Sequence, residues 1–362
     1  MEKRKTLLII ICTMLMLAGC YNSVEKGDIS KASYLLVSTD QFGDSSEIVG
    51  LTDSGKVCYK KELNFGGVKS IFEDEQFINI YTYNDSYKLD KKDSNVTKMK
   101  IDSAIDGVVY NGSIKTYGND YYYEYNQGFG ETYYLNAILK NDETLIDVDG
   151  TVMCYEIKND IIYYIYSHTK SMSEGYSDFK LGKYDLNLKR SLKTIDLSFF
   201  NQYSFISGTI MNNSYYLYAY ASHDQKDSSI MFVKMNLENG EYEKINLEEN
   251  SERELRKRNH SLINKDNCFI FKEKLFFMQE MNQYLEWDTN TDFISAKNLD
   301  QYDDDTLSYY KIENETLIRL GYKGEKLCLY YYDLNDAHMK DTKVIDYQPP
   351  EQQVLYDFIL LK

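Results

Sequence analysis

Asn159-Asp160-Ile161-Ile162-Tyr163-Tyr164-Ile165-Tyr166, followed after a polar loop by Leu181-Gly182-Lys183-Tyr184-Asp185-Leu186-Asn187, is the stretch on which the fold turns. The Asn-Asp pair is turn chemistry, because short polar side chains tolerate the backbone of a tight hairpin. The runs on either side are dense in Tyr and Ile, types that fit a pleated, half-buried surface. The same phrase recurs along the chain: a polar turn, a Tyr-rich strand, a loop, then a strand closing on an Asp/Asn-rich turn. Other endings are Phe232-Val233-Lys234-Met235-Asn236-Leu237-Glu238-Asn239-Gly240 and Tyr331-Tyr332-Asp333-Leu334-Asn335. Gln283 to Asn290 is a further copy and carries the only tryptophan, Trp287. Another strand follows each ending, such as Leu192 to Asp196 or Thr342 to Asp346.

Anchored on the first residue of each Tyr-rich strand, the copies fall at Tyr34, Phe77, Tyr121, Ile161, Tyr215, Leu275 and Leu317. The intervals are 43, 44, 40, 54, 60 and 42 residues, with 45 more to the C-terminus. Composition agrees with an all-β reading, since 36 of 362 residues are Tyr and only 2 are Pro. Each four-stranded unit has two apolar faces that only neighbouring units can cover, so a closed ring is predicted. Tyr34 begins the first unit with no strand before it, and Val354 to Leu361 is a strand left over after the seventh. The C-terminal strand is therefore expected to complete the first blade of a seven-bladed β-propeller spanning 32–362. From residue 31 onward the chain resembles WD40-like and quinoprotein-like propellers. The resemblance is architectural, for no tryptophan-docking motif or Trp-Asp dipeptide recurs. A pair of β-sandwiches would explain the strands but not the period.

The N-terminus carries an address. Lys3, Arg4 and Lys5 precede an apolar run from Leu7 to Leu17, too short for the roughly 20 residues that span a bilayer but suited to a secretory leader. The run ends in Leu17-Ala18-Gly19-Cys20, which resembles a bacterial lipobox. That resemblance implies a signal peptide over 1–19, cleavage before Cys20 and a diacylated Cys20. Residues 20–31 then read as lipidated cysteine and tether, holding the protein on the extracellular face of the bacterial cytoplasmic membrane. Lys outnumbers Arg 35 to 6, a bias of AT-rich genomes that points to a low-GC Gram-positive source.

Charge limits the partners. Asp and Glu outnumber Lys and Arg 57 to 41, so the chain has no electrostatic footprint for nucleic acid, and none is expected as a partner. Cys58, Cys154, Cys268 and Cys328 match no zinc or redox spacing. An even number in a secreted chain permits disulfides, but each lies in an apolar run and reads as a small buried hydrophobe.

The long loops, Asn126 to Glu131, Ser167 to Asp178, Ala221 to Ser229 and Leu247 to His260, are expected on one rim. Within the last, Arg253, Arg256 and Arg258 are three of the six arginines. On a short helix Arg253, Arg256 and Lys257 share a face. With His168, His223 and His260 near the same rim, they form a candidate site for a carboxylate, phosphate or sulfate group. The alternative is a solvated helix whose charges pair with Glu248, Glu249, Glu252 and Glu254. His168 and His223 occupy like positions in adjacent units, where a metal half-site or acid/base pair competes with simple solvent-facing loop histidines. Asp147-Val148-Asp149-Gly150 begins like a calcium loop without its distal Glu, and Asp303-Asp304-Asp305 is a second oxygen-rich turn. Both read more simply as turns and solvated charge. No cofactor is expected, with calcium the one exception that these turns leave open. No nucleophile elbow, phosphate loop or dinucleotide fingerprint occurs.

The reading that follows is a lipid-anchored extracellular propeller that binds a protein partner, a wall component or a small anion and catalyses nothing. A hydrolase or lyase acting on cell-surface sugars or lactones is the alternative, because propellers host dispersed active sites. An accessory or sensor subunit of a membrane transporter or kinase is the third.

Overall fold

The computed structural model describes residues 27–82, 85–99, 108–109, 114–131, 134–168, 177–201, 203, 205–222, 228–245, 268–278, 283–299 and 309–361. These form seven antiparallel sheets; six run outward from the axis in chain order, and in the first the C-terminal strand takes the innermost place. Blade 1 contains Val354–Leu360, Tyr34–Thr39, Ser46–Leu51 and Val57–Leu63, and blade 2 contains Val68–Glu73, Phe77–Thr82, Ser86–Asp90 and Val96–Met99. In blade 3 two short pieces, Val108–Val109 and Lys115–Tyr117, share the innermost place beside Asp120–Phe129, Tyr134–Lys140 and Glu143–Val148. Blade 4 has Thr151–Lys158, Ile161–His168, Ser177–Asp185 and an outer strand split into Arg190–Ser191 and Ile195–Asp196. Blade 5 is Phe205–Met211, Ser214–Ser222, Ser228–Asn236 and Tyr242–Ile245, and blade 6 is Cys268–Phe271, Lys274–Met278, Gln283–Asp288 and Phe293–Asn298. Blade 7 is Tyr309–Glu313, Thr316–Lys323, Lys326–Asp333 and Met339–Val344. All seven sequence anchors fall on the first or second residue of a blade's second strand. No helix among the described residues is long and apolar enough to cross a membrane.

The meander puts the connections of each blade on alternate rims. The lower rim holds the turns between first and second and between third and fourth strands, and it is made by a repeated chemistry. The turns after the third strands of blades 2, 4, 5, 6 and 7 open on Asp90, Asp185, Asn236, Asp288 and Asp333. In each, the side-chain oxygen accepts the backbone N–H two residues on, at 2.8–3.0 Å. In each, the residue four places on is left-handed: Ser94, Lys189, Gly240, Asp292 and Ala337, with φ between 50 and 76°. Asn159-Asp160 and Asn141-Asp142 take the left-handed pair that a two-residue hairpin needs, with φ from 50 to 70°.

Packing follows the ring. Seven apolar clusters occur among the described residues, one at each seam between neighbouring blades. At the seam of blades 5 and 6, Trp287 is fully buried with Tyr216 and Phe232 edge-on at 4.9 and 5.8 Å. At the seam of blades 2 and 3, the buried Asp142 carboxylate accepts hydrogen bonds from Tyr81, Tyr121 and Tyr123 at 2.9, 2.7 and 3.0 Å. Burial is the largest cause raising all three hydroxyl pKa values, and the adjacent carboxylate adds to it. They therefore remain protonated donors.

The C-terminal strand closes the ring as expected. Tyr34 pairs with Leu360, Leu36 with Phe358 and Thr39 with Val354, around a bulge at Tyr356. The segment leading into it is latched to blade 1: Ser38 Oγ donates to Gln353 Oε1 at 2.8 Å and shares a 2.9 Å bond with the Tyr347 hydroxyl. Tyr331 donates to Tyr34 across the same seam at 3.1 Å.

Removing 354–362 strips Leu355, Phe358 and Ile359, all buried. At about 1.5–3 kcal/mol each these contribute on the order of 5–9 kcal/mol, comparable to a whole domain's stability of about 5–15 kcal/mol. The truncated chain should show no cooperative thermal transition in calorimetry. At the turns, a Cβ on Gly240 would meet both a left-handed backbone and the Ile195 methyl. Gly240→Ala should cost about 1–2 kcal/mol by urea titration, whereas Lys189→Gly, at an exposed left-handed position, should gain up to about 1 kcal/mol.

Candidate functional site

The upper rim carries the connections between second and third strands and the passages from blade to blade. Lower-rim turns run from two to five residues, whereas the upper passage from Ile245 to Cys268 takes 22. Of the four long loops expected from sequence, Leu247 to His260 lies outside the described residues, and the other three are shorter than they read. Asn126 to Phe129, Ser167-His168 and Ala221-Ser222 are strand, so the central hairpins of blades 3, 4 and 5 extend upward before they turn. Second strands there have 8–10 residues against 5–6 in blades 1, 2 and 6.

Two hairpins carry aromatic ends. In blade 1, Asp40 Oδ1 accepts from the N–H groups of Phe42 and Gly43 at 3.0 and 2.8 Å, a rigid turn that leaves Phe42 95% exposed. In blade 3, Phe129 is 56% exposed with the Tyr134 ring edge-on at 5.1 Å. In blade 4, His168 ends the second strand, 15% exposed, with Nδ1 3.9 Å from an Asp178 carboxylate oxygen and its ring edge-on to Tyr166. It is thus a half-buried histidine with a carboxylate neighbour rather than a solvated loop histidine. Arg253, Arg256, Arg258, His223 and His260 lie outside the described residues, as do Asp303 to Asp305 and Cys20. Asp147 and Asp149 sit at the upper end of blade 3's outer strand, where Asp147 Oδ1 accepts from Gln127 at 3.5 Å. Among the described residues no three His, Cys, Asp or Glu side chains gather as a metal site.

The inner wall of the ring carries residues that sequence reasoning passed over. The innermost strands of blades 1 and 2, of 7 and 1, of 4 and 5 and of 5 and 6 lie side by side. Three of them hold a bulge in their upper half, at Tyr356, Lys69 and Met153. Bulges re-aim side chains and favour functional edges. Here two bulged residues meet, with Lys69 Nζ 5.3 Å from the centre of the Tyr356 ring. Beside them Lys311 Nζ lies 3.4 Å from Asp357 Oδ1, and the Tyr309 hydroxyl donates to the Leu355 carbonyl at 3.0 Å. On the far side Lys115 pairs with Glu156 at 2.8 Å, and the Tyr215 hydroxyl donates to Cys154 Sγ at 3.5 Å. Burial first, then the Glu156 carboxylate, pushes the Cys268 thiol well up. Burial does the same to Cys58. Protonated thiols are weak nucleophiles and weak metal ligands. All four described cysteines are free; Cys154 and Cys328 are buried as read from sequence, whereas Cys58 and Cys268 are only partly buried.

No protein-family model and no curated protein matches the chain. Solved structures do resemble it. A mutant of the Synechocystis apocarotenoid oxygenase superposes with a TM-score of 0.54 at 9% identity, covering 93% of this chain and 94% of that one. Apo AztD from Citrobacter koseri gives 0.46 at 10% identity, over 91% and 98%. At such identities the likeness concerns the fold alone.

Residues 21–362 contain four cysteines. In the native protein at neutral pH their thiols should react with a chromogenic aromatic disulfide over hours. In guanidinium all four should react at once, and fewer than four would reveal a disulfide.

Proposed function

We propose that this is a lipid-anchored extracellular β-propeller that serves as a non-catalytic binding module, with the upper rim as its recognition face. The observation that carries the reading is the asymmetry between rims. The lower rim is made of short, side-chain-capped turns, while chain length and extended hairpins are concentrated above, where Phe42 stands almost fully exposed on its turn. Binding residues gather on loops held by a rigid scaffold, and exposed aromatic side chains on a rigid turn suit a macromolecular contact. The candidate anion ligands Arg253, Arg256, Arg258, His168, His223 and His260 belong to the same rim by their place in the sequence.

The anchor rests on the Leu17-Ala18-Gly19-Cys20 sequence. The protein should partition with membranes and take up labelled fatty acid, and Cys20→Ala should abolish the labelling. Unchanged labelling would refute the anchor. For the rim, a thermal-shift panel of phosphate, sulfate, calcium with a chelator, wall sugars and lactones compares residues 21–362 with the Arg253, Arg256 and Arg258 triple-alanine variant. An anion at a hundred times its dissociation constant adds about 2.7 kcal/mol. A shift lost in the variant assigns the anion site, and a shift retained there rejects it. Phe42→Ala should weaken capture of a protein partner without moving the thermal transition.

A further inference from the structure

The path of the chain into the propeller fixes which rim the anchor can hold. Residues 27–31, which composition assigns to the tether, belong to the folded body. Ile29–Lys31 form one 3-10 turn with Ile29 buried against blade 1. The Asp28 N–H donates to the Cys58 carbonyl at 3.0 Å, and the Ser33 N–H donates to the Leu51 carbonyl at 2.7 Å. Gly27 lies so close that any Cβ would run into the Cys58 carbonyl. Leu51 ends the third strand of blade 1 and Cys58 is the second residue of its fourth. Both points are on the lower rim, beside the 52–56 turn.

Six residues separate Gly27 from Cys20, which makes seven Cα-to-Cα steps. Fully extended they reach about 23–25 Å. A flat bilayer over the upper rim would have to clear the tallest hairpin, and the ten-residue strand Asp120–Phe129 of blade 3 rises about 30 Å from lower to upper rim. A chain leaving Gly27 therefore has no length to climb past the blades and still seat a lipid beyond the upper rim. We infer that the anchored protein turns its lower rim to the bilayer and its upper rim away from it. The assignment rests on the lipid-anchor reading of Cys20. The lower turns bring carboxylates such as Asp185 and Asp288 toward the surface, where anionic headgroups repel them. The tether, not adsorption, then keeps this rim near the membrane. Ligands of the upper rim arrive from the wall side, and lipid headgroups of the same membrane are out of its reach.

Energy transfer from the protein to the bilayer tests this. The full-length lipoprotein is purified in detergent and reinserted into vesicles carrying an acceptor-labelled lipid. One donor is attached through Ser54→Cys in the lower 52–56 turn, another through Glu325→Cys in the tight upper turn of blade 7. Both positions are exposed. Transfer should be stronger from position 54, with the label at 325 about 25 Å farther from the membrane plane. Equal transfer, or stronger transfer from 325, overturns the orientation while leaving the anchor standing. Failure of the protein to float with vesicles, with Cys20→Ala behaving like the wild type, overturns the anchor and the orientation with it.

Discussion

A strand pair formed by the two ends of the folded chain, Tyr34–Thr39 with Val354–Leu360, is the constraint on which the other six blades depend. Every blade presents apolar side chains on both faces, and each face is buried only by a neighbour. An open arc would leave two such faces in water. Closing it with a strand donated from the far end of the chain turns the seventh seam into a copy of the other six. The cost is a contact of very long sequence separation, which loop-closure entropy disfavours. Hydrogen bonds at Ser38, Tyr347 and Gln353 oppose that cost by fixing the segment that leads into the closing strand.

Tyrosine is how the seams are filled. Its ring gives large apolar area, and its hydroxyl must find a partner once buried. The molecule supplies those partners in different ways. Asp142 accepts three hydroxyls at one seam, Tyr155 donates to the Tyr122 carbonyl at the next, and Tyr331 donates to Tyr34 at the closing seam. Lysines above the rings add a second use of the same side chain, as with Lys343 at 4.3 Å from Tyr331 and Lys234 at 5.8 Å from Tyr216. Among the described residues, tyrosine thus fills the seams of the ring.

The period of the blades was legible because its markers are local. A turn Asp and a left-handed residue four places later lie within one short segment, and tyrosine-dense strands follow at near-equal intervals. The inner wall was not legible, because its pairs come from different blades. Lys69 meets Tyr356, and Lys115 meets Glu156, only after the sheets have docked. A bulge is invisible for the same reason, since an extra residue exists only relative to a partner strand. The limit of the tether was misread on composition. Residues 27–31 are polar on average, yet one buried Ile29 and one backbone contact at Gly27 decide that they belong to the fold.

These contrasts divide the molecule by rim. Below, Asx turns and left-handed residues leave little room for variation, because each turn sets the register of the strands it joins. Above, the connections can lengthen at small entropic cost. The extended hairpins of blades 3, 4 and 5 and the 22-residue passage after Ile245 are where that freedom has been used. Attachment at Gly27 follows the same division, since the chain joins the body at the rim whose geometry is invariant. On the proposed anchor, a scaffold held by its rigid rim would keep its variable rim clear, and the orientation of the proposed recognition face would follow from how the blades are stitched.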